Sequence, residues 1–303
     1  MTAVLDVRPS PAPSATADVV GALARTELRR TLRNPVLAIG LVVSVWYLWS
    51  LAPATEKWSG ATYSAMATTS TPLLLAVSLV TAASFHRERT QVALAAPVTD
   101  GVRVLARLVA AAPLVAATAC FAVVAGWRQR ALGGMTLGYE PGRTTEALQT
   151  NAELAQHAVL GLVAVALGAA VGRRVARLVA AVPVLFLVWF VVSGVYWLFG
   201  SASVTPFSVI QVQPVTVLVG PASADPLTFP QHWLLEPPGE YLTGWARLFV
   251  SSALAWWHSV WLVGVSALLL AVAVPRGTAR RCLVLGGLVL AVAGVVAQIQ
   301  VIP

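Results

Sequence analysis

Twelve carboxylates, four histidines, two cysteines and a single lysine are the side chains of this sequence that could do chemistry. Their spacing argues against most of it. His86, His157, His232 and His258 have no second His or Cys at metal-ligand spacing. The carboxylates fall in loops or at the ends of apolar runs. Facing acid pairs for general acid–base work are therefore not expected. Nor are the mid-membrane acids that ion-coupled transporters use. Lys57 sits in "APATEKWSG", without the glycine-rich turn that cradles phosphates. The chain is thus expected to be no enzyme and to carry no cofactor or metal of its own. Cys120 and Cys282 lie within apolar runs and read as small hydrophobes. His258 is the histidine placed inside the membrane, where a neutral imidazole bonded to a neighbouring helix is the expected state.

What remains is a concentration of charge. The stretch "FHRERTQVALAAPVTDGVRVLAR", residues 85–107, holds Arg87, Glu88, Arg89, Asp100, Arg103 and Arg107 in a chain that is 11% charged. Between the charges lies a short apolar run ending at Pro97. Orientation in a membrane accounts for arginines in a loop, but not for that apolar run.

The elements around it are apolar spans. Hydrophobic residues make up 58% of the 303, more than a soluble domain of this size can bury. Candidate spans are 35–51; 72–85, extended back through 68–71; 104–126, with Pro113 inside; 157–171, completed by 152–156; 178–199; one within 247–274; and 282–302. These runs do not alternate as barrel strands would. The expected fold is an all-α polytopic membrane protein with six spans and a seventh at the C-terminal end. Residues 1–17, rich in Pro, Ser and Ala, read as a disordered tail. Residues 18–34 read as an amphipathic helix on the inner membrane face. Residues 35–303 form one transmembrane domain, with a charged loop at 86–102 and a long outer loop at 201–245. Seven prolines in the outer loop argue against a single helix and suggest short interfacial pieces.

Fifteen of the 20 Lys and Arg residues fall on one side if the N-terminus is cytoplasmic, and every loop on that side then carries at least three. The expectation is a multi-pass protein of the cytoplasmic membrane with the C-terminus outside. The arginine-over-lysine, Ala/Val/Leu-rich composition points to a GC-rich bacterial genome. So few charges exclude a nucleic-acid surface. Trp46, Trp49 and Trp127 fall near the outer interface. For Trp256, Trp257 and Trp261 two readings stay open: they face other helices, or 247–257 is an interfacial helix and the span begins near His258. Gly168 and Gly172 form a small-xxx-small pair that would allow close helix packing, but in so Gly- and Ala-rich a chain chance is the better explanation. Gly286 and Gly287 are read in the same way.

Three features together resemble the ABC-2 type transporter permease family. The first is Arg87, Glu88, Arg89, Leu94, Pro97, Val98, Thr99 and Arg107 between the second and third spans. The second is Arg33, Asn34 and Pro35 leading from the amphipathic segment into the first span. The third is the large outer loop before a late span. A seventh span departs from that family's usual six. The resemblance implies the membrane subunit of an ATP-driven exporter, moving a hydrophobic or amphipathic substrate. Arg87, Glu88, Arg89, Thr90, Val92, Leu94 and Pro97 would form a coupling segment docking on a separate ATP-binding cassette ATPase, which would hold the ATP and Mg. Glu27, Arg29, Arg30 and Arg33 would belong to the connecting helix. A second copy, or a homologous permease, would complete the pathway, drawn from the first, second and fifth spans. Two alternatives remain open: a non-transporting anchor or assembly subunit, and a membrane enzyme working at the outer leaflet through 201–245.

Overall fold

The structure, a computed structural model, describes residues 13–51, 66–90, 98–131, 135–136, 146–147, 149–194, 201–210, 212–230 and 233–303. Helix α1 spans Pro13–Leu32, α2 Pro35–Ser50, α3 Thr71–Thr90 and α4 Asp100–Ala131. Helix α5 spans Asn151–Arg174, α6 Leu178–Gly194, α7 Ser252–Ala273 and α8 Thr278–Val301. Five helical segments are long and apolar enough to cross a membrane: 66–87, which covers most of α3, together with α4, α5, α7 and α8. The pair α1 and α2, bent by 56°, makes up to six. Helix α6 is apolar but has 17 residues, about 26 Å at 1.5 Å per residue. The chain is therefore a helical, membrane-embedded protein.

Local chemistry sets the boundaries. Asn34 caps α2, its side chain accepting from the Val36 N–H at 3.0 Å, and Pro35 occupies the first helical position, where its missing N–H costs nothing. The bend between α1 and α2 lies at this cap. Thr150 and Glu153 form a reciprocal capping box that starts α5, satisfying two orphan N–H groups. Helix α1 begins at Pro13, so residues expected in the tail, 13–17, are helical; residues 1–12 lie outside the described residues.

Helix α3 is the centre of the bundle, packing against α2, α5 and α6 and touching α1 and α4. Gly168 and Gly172 make the α3–α5 approach possible, which corrects the reading of that pair as chance. A Cβ at Gly168 would lie 2.4 Å from the Ser78 carbonyl oxygen, and one at Gly172 2.4 Å from that of Ala82. Both distances are shorter than any van der Waals contact, so only a hydrogen fits and the backbones touch. Of the other pair, Gly287 lies against α7 whereas Gly286 meets open space.

The segment expected as an outer loop adds a small sheet to this predominantly helical fold. Within 201–249 lies a three-stranded antiparallel sheet in the order β3–β5–β4: β3 Val215–Pro221, β4 Leu234–Glu236 and β5 Gly244–Phe249. A two-stranded ladder, β1 Met135–Thr136 with β2 Glu146–Ala147, lies in the 131–150 connection. The run Val215–Thr216–Val217 is β-branched, which suits a pleated half-buried surface. Strand β5 alternates buried and half-buried residues. Arg247 therefore lies in a strand, its guanidinium 4.5 Å from the Trp233 ring centroid, and an interfacial helix at 247–257 is not present. Helix α7 begins at Ser252, with Trp256 and Trp257 exposed and Trp261 buried. Trp49 and Trp127 meet with ring centroids 6.4 Å apart, and Arg128 lies over Trp49. The ends of α2 and α4 thus stand at one level.

Candidate functional site

Residues 86–90, expected at the start of the charged loop 86–102, are helical instead. Helix α3 runs on through the backbone of Glu88, Arg89 and Thr90. Val92, Leu94 and Pro97 lie outside the described residues. The chain resumes at Val98, whose carbonyl accepts a hydrogen bond from Arg103 at 2.9 Å, and α4 starts at Asp100.

Both ends of this segment are tied to other helices. At the first end, Arg87 pairs with Glu27 of α1 at 2.8 Å. Glu27 also accepts from the Ser84 hydroxyl at 3.1 Å and pairs with Arg30 at 3.3 Å. Glu27 is 8% exposed and lies on the stripe Val20, Leu23, Ala24, Glu27, Leu28, Thr31 by which α1 packs on Ala106 and Ala110 of α4. Its carboxylate therefore occupies the buried face of an amphipathic helix. Burial works against the charged form. The hydrogen bond and charge of Arg87, the Ser84 hydroxyl and the charge of Arg107 outweigh it and hold the carboxyl below its ordinary value. Arg107, also 8% exposed, lies over the Phe85 ring at 5.9 Å. Of the connecting-helix residues, Glu27 and Arg30 join this cluster, while Arg29 and Arg33 are exposed to solvent or headgroups.

At the second end, Asp100 accepts a short charged hydrogen bond from Arg173, at the last turn of α5, and faces Arg103 at 3.9 Å. Sequence reasoning counted Arg103, Arg107 and Arg173 toward orientation and gave neither them nor Asp100 a partner. Their partners lie up to 73 residues away. The clue available was the carboxylate at 27 within an arginine-rich face.

Further along α3, small polar residues each reach a different helix. Thr68, one turn before α3, meets Tyr47 of α2 at 3.0 Å, and Ser70 meets His157 of α5 at 3.1 Å. Thr71 accepts from Ser193 of α6 at 2.9 Å. Ser78 donates to the Ala164 carbonyl of α5 and accepts from the Trp189 indole of α6 at 2.9 Å. With Ser84 and Glu27, this places α3 in polar contact with α1, α2, α5 and α6. Such bonds are each worth roughly 0.6–2 kcal/mol between membrane helices. They also fix rotation about the axis, which apolar contacts leave soft. His258 behaves as read, bonded to Gln298 of α8 at 2.9 Å.

Between α2, α3 and α6 opens a groove of about 440 Å³, lined by Tyr47, Thr68, Leu75, Phe186, Trp189 and Phe190 among others. It is apolar with a few hydroxyls, and it lies between the helices expected as the first, second and fifth spans. No family model matches this chain, and no curated protein matches it.

Proposed function

We propose that this protein is the membrane-spanning permease subunit of an ATP-driven exporter of the ABC-2 type. Its fold is read as seven crossings, with α1 the connecting helix and the C-terminus outside the cytoplasmic membrane. The observation that carries the reading is the anchoring of the 88–97 segment. Arg87 before it is paired to α1 through Glu27, and Asp100 after it is paired to α5 through Arg173. A push on this segment by a nucleotide-binding subunit is delivered at once to α1, α3, α4 and α5. A loop serving orientation alone needs arginines but no such cross-links. Helix α3 then conveys the displacement through its polar contacts to α2 and α6, which flank the 440 Å³ groove. That groove, closed by a second copy or a homologous permease, is a pathway for an amphipathic substrate.

The test is co-expression with candidate ATP-binding cassette ATPase subunits from the same genome, followed by ATPase assay of the complex in nanodiscs. Leu94→Asp is expected to abolish assembly or stimulated hydrolysis while leaving membrane insertion unchanged. Full substrate-stimulated hydrolysis by L94D would refute the coupling role. The outer-leaflet enzyme reading has one supporting feature: Glu236 is half-buried in β4, and burial pushes its carboxyl above the ordinary value. Activity without ATP that disappears in Glu236→Gln would favour it instead.

A further inference from the structure

The turn between α7 and α8 carries Arg276, Arg280 and Arg281, and their setting differs from that of the arginines around the 88–97 segment. Arg87, Arg103 and Arg173 each face a carboxylate. Among the described residues, the side chains of Arg276, Arg280 and Arg281 face none. Arg280 and Arg281 lie in the first turn of α8, and Arg276 lies just before its Gly277 cap; that turn has no acidic residue and no side-chain cap. A cation there is opposed by the helix dipole. Three of them together repel one another.

The same residues line a groove of about 500 Å³, whose remaining walls are Gly277, Val284 and Leu285. One end of the groove is cationic and the other apolar. The apolar end continues down α8 as Leu288, Val289 and Val292, all exposed. These positions recur at three- and four-residue spacing from Leu285, so they form one face.

We infer that this groove binds one anionic glycerophospholipid, its phosphate held by Arg276, Arg280 and Arg281 and an acyl chain laid along Leu285, Leu288 and Val292. The argument is charge complementarity. The groove offers three guanidiniums and no carboxylate, and guanidinium pairs with phosphate oxygens through parallel hydrogen bonds. Basic pockets at helix ends are suited to lipid headgroups in this way. The apolar wall selects a lipid over free phosphate, which has no chain to place there. The inference requires α8 to lie in the membrane and is independent of the ATPase partner.

The experiment uses the full chain in nanodiscs of phosphatidylcholine with graded phosphatidylglycerol, with bound lipid counted by native mass spectrometry after transfer to detergent. The wild type is expected to retain phosphatidylglycerol in preference to phosphatidylcholine. At about 1 kcal/mol per arginine, the triple variant R276Q/R280Q/R281Q should bind it roughly a hundredfold more weakly, and R280Q alone roughly fivefold. The single variant keeps the test decisive if the triple one fails to insert. The triple lysine variant preserves charge for orientation and should lose part of the preference. Equal retention of both lipids by the wild type, undiminished preference in R280Q and the triple variant, or displacement of the lipid by millimolar inorganic phosphate would each overturn the inference.

Discussion

Replacing Glu27 with glutamine leaves Arg87 and the buried Arg107 facing a neutral amide where a carboxylate stood. At 2.8 Å, the Glu27–Arg87 attraction is roughly 6 kcal/mol at an effective dielectric constant of about 20. Desolvation of the two groups returns several of these. Arg87 also keeps 33% of its side chain exposed, which screens the pair further. The expected cost of E27Q is therefore about 2 kcal/mol. A double-mutant cycle with Arg87→Met should give a coupling of about 1–2 kcal/mol. The assay is unfolding by sodium dodecyl sulfate titration in mixed micelles, followed by circular dichroism. The pH dependence has a definite sign. Because the folded-state value for Glu27 is depressed, its contribution is complete above the unfolded value, about pH 4.3, and is lost as pH falls through the folded value. The stability gap between wild type and E27Q should be flat from about pH 7 to 5 and shrink below about 4.3. Additivity within about 0.3 kcal/mol, or a gap that widens on acidification, would refute the idea that this pair holds α1 to α3.

Two further outcomes follow from packing and topology. Gly172→Leu forces a side chain into the space where a Cβ already meets the Ala82 carbonyl at 2.4 Å. It should cost about 1–3 kcal/mol and lower the thermal midpoint in detergent, whereas Gly286→Ala, which meets nothing within 4 Å, should leave it unchanged. Pro303→Cys, in a background with Cys120 and Cys282 replaced by serine, should react with an impermeant maleimide added outside intact cells. Labelling only after lysis would place the C-terminus inside and remove the seventh crossing.

The long apolar helices were legible in the sequence because hydrophobicity is local: any run of about twenty apolar residues must find lipid or core wherever the rest of the chain goes. The same holds for the start of α2, where Asn34 and Pro35 act on their own neighbours. The sheet within 201–249 was not legible. Its pairing joins Leu235 to Arg247 and Val217 to Arg247 across intervening prolines, and prolines in a sequence argue against helix without announcing a strand. Gly168 and Gly172 show the same limit, since a glycine pair means contact only when a second backbone arrives, here that of Ser78 and Ala82. Glu27 marks the boundary most sharply. The sequence set it among arginines on an amphipathic segment. Only the tertiary structure turned that face inward and supplied Ser84 and Arg87, 57 and 60 residues away. A buried charge is tolerable only where its partners converge, and convergence belongs to the fold and not to spacing along the chain.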